Sequence, residues 1–368
     1  MTRLEAPGTC LIVLVFEYCV KGSAGHWVGE SCCAAGVLEP QTSCQTPRLA
    51  CPGMRTLVLG GTSFVGRAIV EQLLERGHEP TLFSRGRTGT ELFPGVARLA
   101  GDRTSGDLSA LQGTTWDAVV DVSAYVPRHV QQAAAALTAG RYLLISTGSV
   151  YDHTSSPAVV GEDAPRLAPE RGTEEHQGPA YGPLKVACED DTEALWGERA
   201  TVVRPGIVAG PYDPTDRFTW WVRRASRGGR VALPGRPDQP VQVVDSGDLA
   251  RLVVQLVEDD RRGTFNAVGP AEPTTLAGLV EACARAAGTV VEVVPVDPAS
   301  AELPLILTDE AWWPFMRRSA DRARAAGLTA TPLEQTAAAV LAWDRERGEP
   351  PLSVELSPER EAELLAQV

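Results

Sequence analysis

Two groups of residues have the types and spacing that chemistry requires. Residues 60–66 (GGTSFVG) place three glycines in a short turn, and Tyr181 and Lys185 lie four positions apart. A glycine turn that leads into a helix can bind phosphate, because backbone N–H groups and the helix dipole point at the anion. Residues four positions apart in a helix share one face, so the phenol and the ammonium would be neighbours.

The elements around the glycine turn form a strand–turn–helix–strand unit. Residues 56–59 are a short apolar run, which predicts a buried parallel strand. Apolar residues then recur at helical spacing until Gly77, which ends the predicted helix, and residues 81–83 predict a second strand. A glycine pattern indicates dinucleotide binding when it occurs in this setting.

Each glycine of the turn has its own predicted role. Gly60 permits the tight turn, Gly61 lets the backbone approach a pyrophosphate, and Gly66 lets the helix pack closely on the strand. A βαβ turn that binds no ligand is the alternative.

The end of the second predicted strand bears on the choice of cofactor. A fold that selects NAD usually carries an acid here for the ribose 2′-hydroxyl, whereas this chain has Ser84, followed by Arg85 and Arg87. Guanidinium groups suit a 2′-phosphate, which they can bind through two hydrogen bonds. NADP(H) is therefore the favoured cofactor. NAD(H) is the alternative, and in that case the two arginines would be ordinary solvated loop residues.

Strands and helices continue to alternate along the chain. Residues 96–100, 116–121 and 141–146 predict further strands, and 128–139 predict an alanine-rich helix. This order predicts an α/β protein with a Rossmann-type, doubly wound parallel sheet, whose ligands bind at the carboxyl ends of the strands. A smaller C-terminal substrate-binding lobe is expected to complete the fold.

The chain divides into four predicted regions. Six of its eight cysteines precede Met54, in spacings that fit no zinc pattern, so 1–53 is expected to be a poorly ordered leader or a non-native extension. A disulfide-bearing or metal-binding appendage is the alternative. Residues 54–204 are assigned to the Rossmann core and 205–350 to the substrate lobe, which is interleaved with the last Rossmann elements. Residues 351–368 form an acidic, amphipathic tail that either docks or frays.

Composition excludes several classes of function. The net charge of −13 argues against nucleic acid as a main partner, since phosphate binding needs a basic face. No apolar run approaches the ~20 residues of a membrane span, so a cytoplasmic enzyme without membrane contact is expected. The five histidines are scattered, which predicts no catalytic metal. Of 34 basic residues only Lys21 and Lys185 are lysines, as a genome that favours arginine codons would produce. A lysine retained against that bias is expected where arginine would not serve equally, and Lys185 is the candidate.

Several motifs together resemble the short-chain dehydrogenase/reductase superfamily, in the extended or atypical NAD(P)-dependent epimerase/dehydratase branch. They are the glycine turn, Ser146 and Thr147 after the fifth strand, the Tyr-x-x-x-Lys pair, and later segments at 204–211 and 241–250. The similarity covers about 54–345. These motifs are specific for the superfamily and not for one substrate.

The resemblance implies catalytic roles for Tyr181, Lys185 and Thr147. Tyr181 would be the general acid/base, and Lys185 together with the nicotinamide charge would lower its pKa from about 10. The lysine would also bind the nicotinamide ribose, and Thr147 would orient the reacting oxygen. The alternatives are a surface pair for the tyrosine and lysine, and a turn-capping hydroxyl for Thr147.

Departures from the family pattern narrow the expected activity. Ser63 replaces a common glycine, and Gly148 and Ser149 stand where sugar-nucleotide dehydratases carry an Asp-Glu pair. The favoured function is therefore an NADP(H)-dependent oxidoreductase acting on a secondary alcohol or ketone of a small metabolite. A nucleotide-sugar epimerase with bound NAD(P) is the alternative, and a non-catalytic dinucleotide-binding sensor or scaffold is the second. The resemblance also implies a homodimer formed through helices at 128–139 and 179–196.

The predicted site falls into two sets. The cofactor set comprises Gly60, Gly61, Thr62, Ser63, Phe64, Val65, Gly66, Ser84, Arg85, Arg87, Asp102, Arg103, Val122, Ser123, Ala124, Ser146, Tyr181, Lys185, Pro205 and Ile207. The substrate set comprises Thr147, Gly148, Ser149, Arg217, Trp220, Trp221 and Gln242. Asp102 either accepts from an adenine amino group or caps a turn. One of the adjacent tryptophans is expected to line a pocket, since two neighbours should not both face one core.

Overall fold

The computed structural model describes residues 53–152, 159–270, 272–354 and 356–368. The prediction for the leader therefore falls almost wholly outside the described residues. The strands are β1 (Arg55–Leu59), β2 (Glu79–Ser84), β3 (Ala97–Ala100), β4 (Thr114–Asp121), β5 (Leu137–Ile145), β6 (Ala200–Pro205), β7 (Ile207–Ala209), β8 (Gly229–Leu233), β9 (Pro240–Val241), β10 (Val243–Asp245), β11 (Gly263–Ala267), β12 (Thr274–Thr275) and β13 (Val291–Pro295). The α-helices are α1 (Phe64–Glu75), α2 (Pro127–Ala136), α3 (Tyr181–Trp196), α4 (Arg217–Ala225), α5 (Ser246–Glu258), α6 (Leu276–Ala287), α7 (Asp321–Ala325), α8 (Leu333–Glu346) and α9 (Pro358–Leu365).

Seven parallel strands form the central sheet, in the order β11-β6-β5-β4-β1-β2-β3. Helices α1 and α5 bury their apolar faces on one side of it, and α2 and α3 cover the other side. This layering explains why the strands are short continuous apolar runs. The strand order reverses between β1 and β4, and such a reversal opens a crevice at the carboxyl ends of the strands. The predicted α/β Rossmann-type fold is confirmed.

Most predicted elements agree with the structure to within a few residues. The clearest difference is the helix predicted over 128–139, because α2 ends at Ala136 and β5 begins at Leu137. Leu137 and Ala139 are buried while Thr138 and Gly140 are exposed, which is the alternation of a strand. An alanine-rich stretch favours a helix locally, but here pairing with β4 determines the structure.

A second core holds the C-terminal lobe together, and the tryptophan prediction is wrong there. Trp220 and Trp221 are 4 % and 0 % exposed, and both belong to this core. Their rings lie 4.6 Å apart edge to face, and Trp221 Nε1 donates to the Pro304 carbonyl at 2.8 Å. Both side chains can be buried because α4 is enclosed on several sides, so residues 100° apart around its axis reach the same interior.

The C-terminal segment docks on this lobe through α9. Leu364 is buried, and Glu361 accepts from Arg224 Nε at 2.6 Å and from the Ala232 backbone N–H at 3.1 Å. Both charged side chains are less than a tenth exposed. Among the described residues, no helix combines the length and the apolarity needed to cross a bilayer.

We expect Glu361→Gln to lower the free energy of unfolding by about 3 kcal/mol, because Arg224 would stay buried without its counter-charge. Denaturant unfolding followed by circular dichroism measures this difference. Glu363→Gln is the matched control, since its Arg360 partner is exposed and the pair should contribute less than about 0.5 kcal/mol. Equal losses in the two variants would contradict the assigned role of the buried pair.

Candidate active site

A cleft of about 650 Å³ lies along the carboxyl ends of the central strands. Its volume is in the usual range for a small-molecule site. Predicted site residues that line it are Gly60, Thr62, Ser63, Phe64, Val65, Ser84, Arg85, Arg87, Asp102, Arg103, Val122, Ser123, Ser146, Tyr181, Lys185, Pro205 and Arg217. Residues from β1 to β6 thus meet at one edge of the sheet, as the fold prediction required.

The glycine turn has the geometry that close packing demands. Gly60 has φ +97°, a left-handed conformation that favours glycine. A Cβ on Gly66 would lie 2.1 Å from the Gly60 carbonyl oxygen, so α1 can approach β1 only with glycine there. A Cβ on Gly61 would meet the Leu82 and Val70 side chains at 2.7 and 2.9 Å, so core packing also requires a glycine there. The role predicted for its backbone at a pyrophosphate stays a prediction.

The amino end of α1 faces the cleft with its donors available. Ser63 precedes the helix, and its side chain makes no capping hydrogen bond. Phe64, the first helical residue, has φ +35° and also lines the cleft. First-turn N–H groups that lack intrahelical partners make a good site for an anion. This loop and helix end therefore fit the pyrophosphate of a dinucleotide.

Helix α3 brings the predicted tyrosine and lysine to the floor of the cleft. Tyr181 is its first residue and is partly exposed. Lys185 is 2 % exposed, and its Nζ donates to the Ala124 and Ile145 carbonyl oxygens, each at 2.8 Å. Ala124 follows β4 and Ile145 ends β5, so one ammonium ties two strand ends to the helix.

Ser146 and Thr147, the two predicted hydroxyl residues after β5, differ in their hydrogen bonding. Ser146 Oγ donates to Glu189 Oε1 at 2.5 Å, so this hydroxyl is committed to a protein partner. Thr147 is 0 % exposed, and among the described residues its Oγ1 has no hydrogen-bond partner. A buried hydroxyl without a partner costs free energy, which a ligand oxygen could recover.

Ser84, Arg85 and Arg87 form the rim of the cleft beyond β2. The Ser84 hydroxyl accepts from the Gly86 backbone N–H at 3.3 Å, while both arginines are exposed. Within the described ranges, neither guanidinium forms an ion pair with a carboxylate. Most other arginines among the described residues do form such a pair, so these two cations are available to an anionic ligand.

Arg103 and Asp102 reach the cleft but have internal partners. Arg103 donates to both Asp121 oxygens at 2.6 and 2.8 Å, and Asp121 also accepts from Tyr142 at 2.5 Å. Burial alone would raise the pKa of Asp121, but the Arg103 charge and these hydrogen bonds hold it below its usual value. Asp102 accepts from the Thr104 backbone N–H at 2.9 Å, which is the turn-capping alternative.

Several predicted residues lie away from the cleft surface. Gln242 is 2 % exposed and exchanges hydrogen bonds with the backbone of Arg318, so its prediction as a substrate contact is wrong. Trp220 and Trp221 lie in the lobe core. Buried behind the lining, or packed beside it, are Gly61, Gly66, Ala124, Thr147, Gly148, Ser149 and Ile207. Ala124 still contributes through its carbonyl.

Sequence reasoning did not assign His129, His176 or Glu189 to the site. Tyr125 and His176 stack at 4.9 Å and both line the cleft. His129 also lines it, and Glu189 lies behind it. The spacing of Glu189 to Lys185 repeats that of Lys185 to Tyr181, a signal that was visible in the sequence. Among the described residues, no cluster of histidine, cysteine and carboxylate side chains could hold a metal ion.

Fold and cleft together define a dinucleotide-binding α/β protein. Residues 56–268 match the model of the NAD dependent epimerase/dehydratase family. The chain belongs to that family.

Relatives and solved structures agree with this assignment. The chloroplast stem-loop binding protein of 41 kDa b from Arabidopsis thaliana is 28 % identical over 64 % of this chain and 63 % of that protein, so the chain spans less than two thirds of this relative. A 2-alkyl-3-oxoalkanoate reductase from Shewanella oneidensis is 26 % identical over 68 % of this chain and 71 % of its own. The UDP-glucuronic acid 4-epimerase from Bacillus cereus, solved with NAD, shares the fold with a TM-score of 0.61 at 17 % identity, covering 80 % and 99 % of the two chains.

Acid stability should depend on His129. Burial, followed by the charge of Arg103, lowers its pKa to about 4. Between pH 6.5 and 4, His129 binds a proton in the unfolded chain but stays neutral in the folded protein. The free energy of unfolding therefore decreases as the pH falls from 6.5 towards 4. The loss should be about 2–3 kcal/mol.

We expect His129→Gln to remove this part of the pH dependence, as measured by denaturant unfolding at pH 7, 6, 5 and 4. His176→Gln, at an exposed histidine, should leave the profile unchanged. A His129→Gln profile parallel to that of the wild type would show that other groups carry the effect.

Proposed function

We propose that the chain is an NADP(H)-dependent short-chain oxidoreductase that acts on a secondary alcohol or ketone of a small metabolite. The observation that carries the proposal is the position of Tyr181 and Lys185 on one face of α3 at the cleft floor. The similarity to a protein named 2-alkyl-3-oxoalkanoate reductase supports a ketone substrate.

The cofactor would lie with its pyrophosphate at residues 60–66 and its 2′-phosphate near Arg85 and Arg87. The two arginines have no carboxylate partner within the described residues, which supports NADP(H) over NAD(H). When bound, the nicotinamide supplies or accepts the hydride. Lys185 would bind the adjoining ribose, as a compact ammonium can and a planar guanidinium does less well.

Proton transfer is assigned to Tyr181. In the reductive direction its hydroxyl donates to the carbonyl oxygen, which gains negative charge as the alcohol forms. Lys185 stabilises the resulting phenolate, because its position is fixed by two carbonyl oxygens. The Thr147 hydroxyl would bond the same substrate oxygen. Since Thr147 is fully buried, this contact requires a small opening of the adjacent turn.

The epimerase alternative receives less support from the lobe. A nucleotide sugar carries a diphosphate that needs cations; Arg223, Arg224 and Arg347 of the lobe are each paired with a carboxylate, and Arg217 is the one arginine of the lobe among the described residues that line the cleft. NADPH consumed in proportion to ketone supports the reductase, whereas isomerisation of a UDP-sugar without net NADPH loss supports the epimerase.

Tyr181→Phe should lower kcat for ketone reduction at least about 100-fold, because the residue assigned to transfer the proton to the reacting oxygen is lost. The dissociation constant for NADPH should change less than twofold. NADPH oxidation with a panel of 2-alkyl-3-oxoalkanoates and simpler ketones measures the first, and fluorescence titration measures the second. Tyr212→Phe, an exposed tyrosine, is the control. Full activity in Tyr181→Phe would refute the mechanism.

Arg85→Ala should weaken NADPH binding about tenfold, the value of a lost charge-assisted hydrogen bond. NADH binding should be unaffected and serves as the internal control. Fluorescence titration with each cofactor gives both constants. An unchanged NADPH affinity would remove Arg85 from the 2′-phosphate site.

A further inference from the structure

Helix α3 carries a third polar residue in line with its catalytic pair. Tyr181, Lys185 and Glu189 recur every four positions and therefore share one helix face. Glu189 is 3 % exposed. A carboxylate this deeply buried is costly unless its oxygens are hydrogen-bonded to partners of opposite charge.

Glu189 has such partners on both oxygens. Oε1 accepts from Ser146 Oγ at 2.5 Å and from Arg204 Nε at 2.8 Å. Oε2 accepts from Arg204 Nη2 and from Arg166 Nη1 at 3.1 Å. Ser146 follows β5 and Arg204 lies near the end of β6, so the carboxylate joins α3 to two strand ends.

These contacts complete a two-point attachment between α3 and the end of β5. Lys185 binds the Ile145 carbonyl, and Glu189 binds the side chain of the next residue, Ser146. The two attachments lie about one helical turn, 5.4 Å, apart along α3. Buried side chains such as Cys188 hold α3 against the sheet, and the polar attachments at two successive turns further restrain its rotation and its position along β5. Arg204 adds β6, whose next residue, Pro205, lines the cleft.

We propose that Glu189 is a positioning residue for the reaction: by holding Ser146 and Arg204 it fixes the rotation of α3, and thereby the place of the Lys185 ammonium beside the Tyr181 hydroxyl. This inference rests on the proposed function for its kinetic consequences. It extends the site to a residue that touches neither cofactor nor substrate.

Two variants test the proposal. Glu189→Gln keeps the volume but loses the charge, and Ser146→Ala removes one attachment while leaving the Glu189–Arg204 pair intact. Both should lower kcat for ketone reduction about 10- to 100-fold, with the NADPH dissociation constant changed less than threefold. Glu193→Gln, at an exposed position one turn further along α3, is the matched control and should resemble the wild type.

A readout independent of turnover separates positioning from simple stability. Tyrosinate absorbance, titrated with pH in wild type and in Tyr181→Phe, isolates the ionisation of Tyr181 by difference. In Glu189→Gln and in Ser146→Ala the midpoint of that ionisation should move upwards, because the ammonium is no longer held in place. The shift should persist at temperatures well below each variant's Tm.

Folded variants that keep the wild-type kcat and the wild-type Tyr181 titration, and differ only in Tm, would overturn the proposal. A different result would refute the proposed function alone. In that result the wild type reduces no ketone in the panel, while the Tyr181 midpoint still moves in the two variants. If the wild type reduces ketones but the Tyr181 midpoint is the same in both variants as in the wild type, the proposed function stands and the role of Glu189 is refuted.

Discussion

One buried ammonium sets the geometry of the site. The Lys185 Nζ bonds the carbonyl oxygens at the ends of β4 and β5, so the helix that carries Tyr181 is held to the sheet where its strands open. An ammonium removed from water is tolerated only where hydrogen bonds replace its hydration. Any movement of α3 or of either strand end would leave that charge unsatisfied. A planar guanidinium would not reach both carbonyls in the same way, which is a physical reason for a lysine at this position in a chain whose basic residues are nearly all arginine.

The charge in the cleft depends on which of its arginines are paired with a carboxylate. The chain carries a net charge of −13, yet the described lining residues include four arginines and a lysine against a single carboxylate, Asp102. Arg103 contributes little to an incoming anion, because Asp121 neutralises it through two hydrogen bonds. Arg85 and Arg87 lack such partners within the described ranges, so their charges are available to attract an anionic ligand. Cations in a cleft with low-dielectric walls raise the local concentration of an anionic ligand.

The sequence predicts those parts of the fold that residues close together in the chain determine. The β1–α1–β2 unit was predictable because strand, turn and helix each have their own period and their own glycines. Packing between distant segments was not. Nothing near Gln242 in the sequence indicates that its amide binds the backbone of Arg318, and nothing near Trp221 indicates that Pro304 accepts its indole N–H. The requirement for Gly61 likewise comes from Leu82 and Val70, which reach it only after the sheet has formed.

Three of the seven described non-glycine residues with positive φ lie at the cleft or beside it. Phe64 at its edge has φ +35°, and Tyr212 and Asp216, which flank the cleft-lining Pro214 and Thr215, have φ +68° and +54°. Such conformations cost about 1–3 kcal/mol each and persist when surrounding contacts impose them. Asp213, between them, is 1 % exposed with one carboxylate oxygen unpartnered, as is the hydroxyl of Thr147. Strain and unmet hydrogen bonds both lower the stability of the protein around the cleft, so a ligand whose binding relieves either one binds more tightly. Burial of apolar side chains in the cores on both faces of the sheet offsets this cost in the free energy of folding.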